Sequence, residues 1–147
     1  MMHDSRSVWR FLAAVFGLFL MVGCGGEKID RGPLGSVQGQ VTFDSAAVTE
    51  GTVQFTHTQK GYAGTGQIDQ EGHYVVKSEM GGLPIGEYKV SVMPPIVQID
   101  GGPNTPSSEG PKVMPTIPKK YRSSETSSLI VEIHTGENTF DIAMQGR

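Results

Sequence analysis

The chain of 147 residues has one cysteine, one tryptophan and no surplus of basic residues. Each scarcity excludes something. A lone cysteine, Cys24, cannot form an intramolecular disulfide, so a fold here has to be held by its core. Twelve Lys and Arg against 15 Asp and Glu give a formal net charge of −3, which argues against nucleic acid as a partner and against a polybasic membrane patch. The apolar run at residues 11–22 is 12 residues long, short of the roughly 20 that a spanning helix needs. Beyond residue 23 no window carries the 3.6-residue apolar period of a helix, so βαβ units and phosphate loops that open a helix are excluded.

What is present begins at the N-terminus. Arg6 and Arg10 lead into the apolar run, which ends in Met21-Val22-Gly23-Cys24. That ending resembles the lipobox of bacterial lipoproteins, with Met21 where Leu is commonest. The resemblance implies a diacylglycerol on the Cys24 sulfur, cleavage before Cys24 and acylation of the new amino group. Residues 1–23 then read as a lipoprotein signal peptide, an ordinary secretory signal or an uncut anchor being the alternatives. Each buried methylene contributes about 0.8 kcal/mol, so two or three chains hold a protein on a bilayer where one does not. Membrane lipid, through acylated Cys24, is thus an expected partner. Gly25 stands where Asp would be the familiar inner-membrane retention signal, and by that resemblance the outer membrane of the cell envelope is the expected location. Removal of residues 1–23 takes away Trp9, Asp4, Arg6 and Arg10, shifts the net charge to −4 and leaves one domain's worth of chain.

Residues 24–35 (CGGEKIDRGPLG) read as the lipidated cysteine and a flexible tether. From there the pattern turns to period two. Val37, Gly39, Val41 and Phe43 fall on one face; Val53 and Phe55 repeat the alternation; a weaker strand at 62–68 is interrupted by Gly64 and Gly66. Asp69-Gln70-Glu71-Gly72 signals a hairpin turn, after which Tyr74 and Val76, then Tyr88, Val90 and Val92, continue the pattern. Pro94 and Pro95 stop it. Residues 94–127 hold seven of the nine prolines and read as a long loop that exposes Ile96, Val97, Ile99, Val113, Met114 and Ile117. Leu129, Val131 and Ile133, then Phe140, Ile142 and Met144, close the domain. The fold class predicted is all-β, an antiparallel β-sandwich of about seven strands over residues 36–147.

The runs Val37-Gln38-Gly39-Gln40-Val41-Thr42, Gly51-Thr52-Val53-Gln54-Phe55, Asp69-Gln70-Glu71-Gly72-His73-Tyr74 and Pro84-Ile85-Gly86-Glu87-Tyr88-Lys89-Val90 together resemble the carboxypeptidase regulatory-like domain. This is a transthyretin-like β-sandwich, here in the form of the small lipoproteins abundant in planctomycete-type bacteria. Ile117-Pro118-Lys119-Lys120-Tyr121 and Gly136-Glu137-Asn138-Thr139-Phe140 are similar to the closing half of those lipoproteins. The resemblance covers residues 36–146. It implies a non-catalytic module that serves as an appendage, spacer or binding unit, because a fold does not name a function.

Few residues offer chemistry. His57, His73 and His134 lack the close spacings of metal ligands, and His57 and His134 read as exposed strand ends, so no metal or cofactor is expected. Asp69 and Glu71 open like a calcium loop that does not continue. Tyr121-Arg122-Ser123-Ser124 is similar to the closing tetrapeptide of hydroxyisourate hydrolases, but Ser123 replaces its glycine and two strands follow. Tyr121 reads instead as a ring pinning the 94–127 loop to the sandwich. Asn138 could serve an isopeptide bond only with a lysine on the first strand, which has none, and no Gly-x-Ser-x-Gly elbow occurs. The expectation is a lipid-anchored, non-enzymatic envelope protein with no cofactor, structural or binding in role. A carbohydrate- or peptide-binding protein is the alternative, with an envelope protein or glycan as partner, and a transthyretin-like hydrolase is the third reading.

Overall fold

The computed structural model describes residues 32–146. Residues 1–23, Cys24 and the tether up to residue 31 lie outside the described residues. Twelve short strands follow in chain order: β1 (Leu34–Phe43), β2 (Ala46–Ala47), β3 (Thr52–His57), β4 (Ala63–Gln67), β5 (His73–Val75), β6 (Leu83–Pro84), β7 (Gly86–Met93), β8 (Ile96–Ile99), β9 (Ser108–Pro111), β10 (Leu129–Ile133), β11 (Gly136–Thr139) and β12 (Ile142–Met144). A single 3₁₀ turn lies at Lys119–Tyr121, and the described residues contain no α-helix, so the class is all-β. β1 begins inside the segment read as tether, because Leu34 and Gly35 pair with Pro84 and Leu83.

Two sheets hold the body. The second is antiparallel throughout, in the order β10-β7-β3-β4. The first is built around β1, which carries β6, β5 and β2 antiparallel along one side. Along its other side β11 and β12 run parallel to it. The first sheet is therefore mixed, where an antiparallel one was expected. The closing strands reach β1 from β10 in the other sheet, a crossover that delivers them in β1's own direction.

Period-two burial then makes one core. β3 alternates half-buried Thr52, Gln54 and Thr56 with buried Val53, Phe55 and His57. Val37 and Val41 of β1, Tyr74 of β5, Tyr88, Val90 and Val92 of β7, Ile133 of β10, and Ile142 and Met144 of β12 complete the cluster. The Phe55 ring of the second sheet meets Tyr74 and Phe140, on the first sheet's side, at centroid distances of 6.1 and 6.3 Å. The two sheets thus share a single interior, and full burial of a side chain of this size is worth about 1.5–3 kcal/mol.

Close approaches account for Gly66, which interrupts the strand pattern, and for Gly39, which sits within one. A Cβ on Gly66 would stand 2.9 Å from the Val75 carbonyl oxygen, because β5 crosses over β4 where the chain passes from one sheet to the other. At Gly39, a Cβ would collide with the Phe140 carbonyl and lie 3.1 Å from the Tyr74 hydroxyl. The missing side chain leaves room for the Tyr74 ring, opposite it in β5, to donate its hydroxyl to that carbonyl.

The register also fixes which residues share an end of the body. Gly35 lies beside Gly136 and Leu83, and Ile133 beside Gly86, so the entry of β1 and the start of β7 occupy one pole. Met93 pairs with Thr52, and the chain leaves β7 there into β8 and β9, at the opposite pole. With eight residues in β7 the poles are about 26 Å apart at roughly 3.3 Å per residue. The segment after Pro95 is not a plain loop: β8 and β9 pair as an antiparallel ribbon of four opposed residue pairs.

Candidate functional site

The polar residues singled out in the sequence are mostly committed to holding the backbone. His57 is 6% exposed, against the exposed position expected for it. It is the next inward position after Val53 and Phe55; its ring packs edge-on to Tyr88 at 4.9 Å, and its Nδ1 accepts from the Gln59 and Lys60 amides at 3.1 and 3.3 Å. Asp69 turns its Oδ1 onto the amides of Glu71 and His73 at 3.0 and 2.8 Å, which makes the segment a turn with Gly72 at φ 85°. His134 is exposed, and its amide donates to the Asn138 side chain at 2.9 Å. Asn138 in turn donates to the carbonyls of His134, Gly136 and Ser36, so its amide is used at both ends. Among the described residues no three His, Cys, Asp or Glu side chains cluster as a metal site would require.

Tyr121 and Arg122 clamp the loop. Tyr121 is 8% exposed and its hydroxyl accepts the Gln145 amide at 3.3 Å. Arg122 donates Nε to the Ile117 carbonyl at 2.8 Å and Nη2 to that of Met114 at 2.9 Å. These bonds fold residues 114–122 over the core, and Met114 and Ile117, expected on the surface, are buried instead. A guanidinium spent on two main-chain carbonyls is poorly placed to polarise a substrate.

Two clefts lie elsewhere, along β5. One cleft of about 380 Å³ opens between β4 and β5, lined by Thr65, Gln67, Asp69, His73, Tyr74, Val75 and Lys77. Its origin is a splayed hairpin. Asp69 and His73 are joined by a main-chain bond of 2.9 Å, and Thr65 and Lys77 by a bridge, but no rung joins Gln67 to Val75 between them. β4 belongs to one sheet and β5 to the other, so the hairpin expected from the turn opens as its strands part. A second cleft of about 530 Å³ lies on the other side of β5, over β1 and the closing strands, lined by Gln38, Gly39, Gln40, His73, Tyr74, Val75, Thr139 and Asp141.

Both clefts present outward positions of the alternation: amides, hydroxyls, a carboxylate and an imidazole around the exposed Val75. Asp141 accepts the Gln40 amide at 2.9 Å where a main-chain rung is missing, and the Gln40 side chain donates to the Glu71 carbonyl at 3.1 Å. Burial, assisted by the Asp141 charge, raises the Tyr74 phenol well above its ordinary range. Burial and Tyr62 push Tyr88 up to about 12, and its hydroxyl donates to the Pro84 carbonyl at 2.8 Å. Both tyrosines are neutral donors at physiological pH. Sequence reading missed these clefts, although their signal was the polar half of each strand alternation. The 94–127 segment, expected to contribute to a binding site, lines neither of them.

No family model matches the chain. No curated protein matches it. Among solved structures it is similar to a DUF3823 family protein from Parabacteroides merdae ATCC 43184, with 15% identity and a TM-score of 0.39 over 76% of this chain and 45% of that one. It is similar also to the Bacillus anthracis TIE protein, with 19% identity and a TM-score of 0.38 over 77% and 16% of the two chains. A 9R-lipoxygenase from Cyanothece PCC8801 gives 14% identity and a TM-score of 0.40 over 77% and 16%. The chain spans less than half the length of each of these proteins, and the likenesses carry no argument about activity or partner.

Proposed function

We propose that the chain is a lipid-anchored, non-catalytic β-sandwich of the carboxypeptidase regulatory-like, transthyretin-like type, held at the outer membrane of a cell envelope as a structural or binding module. The observation that carries this reading is Met21-Val22-Gly23-Cys24 at the end of a short apolar run, a few residues ahead of the start of β1 at Leu34. On this reading Cys24 takes the acyl chains and is followed in sequence, ten residues on, by the start of β1 at Leu34. Against the hydrolase reading, Tyr121 accepts the Gln145 amide and Arg122 donates to the Ile117 and Met114 carbonyls. Mass spectrometry of the membrane-extracted protein tests the reading: an acylated Cys24 as first residue is expected, and an unmodified chain beginning at Met1 overturns it.

A second reading, a carbohydrate or peptide binder, is favoured by the two clefts that meet along His73–Val75. Their polar lining suits a ligand rich in hydroxyl or amide groups. Titration with soluble envelope glycans, followed by amide chemical shifts, separates the readings: shifts confined to Gln38, Gln40, His73 and Val75 support a binder, and none support a spacer.

A further inference from the structure

β8 has the composition of an inner strand but a neighbour on one side only. Ile96, Val97, Gln98 and Ile99 are all exposed, Ile96 at 65% and Ile99 at 48%. Apolar residues on both faces are the pattern of a strand covered on both. The Lys112 amide bonds the Pro95 carbonyl, so by the alternation of an antiparallel ladder Val97 and Ile99 direct their main-chain groups to β9. The N–H and C=O groups of Ile96, Gln98 and Asp100 therefore point the other way, along a free edge. The far edge of the ribbon is blunted, since β9 consists of Ser108, Glu109, Gly110 and Pro111.

We propose that this edge pairs with β8 of a second copy of the chain, antiparallel about a twofold axis at Gln98. A twofold axis perpendicular to the ribbon keeps every residue on its own face, so opposed residues share a face. Centred on Gln98, Val97 lies opposite the partner's Ile99, and Ile99 opposite the partner's Val97, in the closely spaced positions between rungs. These four side chains form a continuous apolar patch, while Gln98 meets its own copy on the other face. Asp100 falls opposite the partner's Ile96, so no like charges are opposed. A register centred on Val97 instead would set Asp100 against Pro94, which has no N–H to give. The ribbon leaves the body at the pole opposite Leu34, and the self-pairing does not depend on the lipid-anchor reading. Two short strands bury less than the roughly 1,200 Å² of a stable interface, so the contact is weak in dilute solution and strengthened where copies are concentrated on a surface.

Gln98→Cys in the purified full chain at high protein concentration tests this. Residues opposed across a rung have Cα atoms about 5.5 Å apart, within disulfide reach. Mild oxidation is expected to give a disulfide-linked dimer in several-fold higher yield than either the wild-type chain, whose Cys24 sets the background, or Val113→Cys, 89% exposed and off the edge. Gln98→Pro removes an outward N–H without touching the rungs to β9, and sedimentation of this variant is expected to stay monomeric where wild type shifts with concentration. Equal yields at positions 98 and 113, a Gln98→Pro variant that still self-associates, or a mixed disulfide with another protein as main product in whole cells would overturn the proposal.

Discussion

The body and the β8–β9 ribbon are made of the same kind of strand and differ in what they do with it. In the body the longer strands spend their apolar half on a shared interior: Val53 and Phe55 on β3, and Val90 and Val92 on β7, are fully buried. In the ribbon β8 has three aliphatic residues in four and none is buried. The difference teaches that period two alone does not make a core. A strand also needs a second layer to face, and β8 lies past Met93, where the sheets end. What the body gains in stability, the ribbon keeps as uncovered edge, and partners are sought at such edges.

The largest effects should fall in the body. Phe55→Ala, which removes the ring joining the sheets, is expected to cost about 3–5 kcal/mol by denaturant titration. Ile96→Ala in the ribbon should cost less than about 0.5 kcal/mol in the monomer; comparable losses at the two sites would erase the contrast. Gly39→Ala should come next, since the new methyl has to displace the Phe140 carbonyl or the Tyr74 ring. A cost of roughly 1–3 kcal/mol is expected, as for other overpacked sites, and a neutral outcome would show that the closing strands yield freely. Tyr74→Phe should lose about 1 kcal/mol with the hydroxyl bond to Phe140.

The same tyrosine sets a pH dependence. Burial raises the phenols of Tyr74 and Tyr88 above their unfolded value of 10.0, so the unfolded chain gives up these protons first. Their contribution is fully present below pH 10 and is lost as pH rises from there toward 12. Denaturation midpoints measured from pH 8 to 11.5 should therefore fall above pH 10, and less steeply in Tyr74→Phe. A small effect also belongs to the surface ion pair between Lys112 and Glu50, which ties the ribbon's base to the body. Lys112→Ala should cost at most about 1 kcal/mol, and less in high salt.

The body was legible wherever alternation continued long enough to declare a face. β1 beyond Val37, β3, β7 and β10 were read correctly because each sets buried against exposed residues over several positions. β1's first residues, Leu34 and Gly35, were hidden by Gly32 and Pro33, which look like linker. His57 carried the same inward signal as Phe55, but residue type outweighed position in reading it. Met114 and Ile117 have no period around them; their burial comes from the Arg122 clamp, a tertiary feature. The direction of β11 and β12 was likewise out of reach, since hydrophobic pattern does not state which strand a segment will lie against. The clefts along β5 arise from a hairpin whose two strands join different sheets, and no local pattern encodes that parting.

Residue-resolved hydrogen exchange on the full chain, at low and high protein concentration, tests the contrast between body and ribbon most directly. Amides of Val53, Phe55, Val90 and Val92 should exchange only through global unfolding at both concentrations, while those of Ile96, Gln98 and Asp100 should exchange fast when dilute and gain protection when concentrated. Ribbon amides as slow as those of β7 in dilute solution, or indifferent to concentration, would contradict the account.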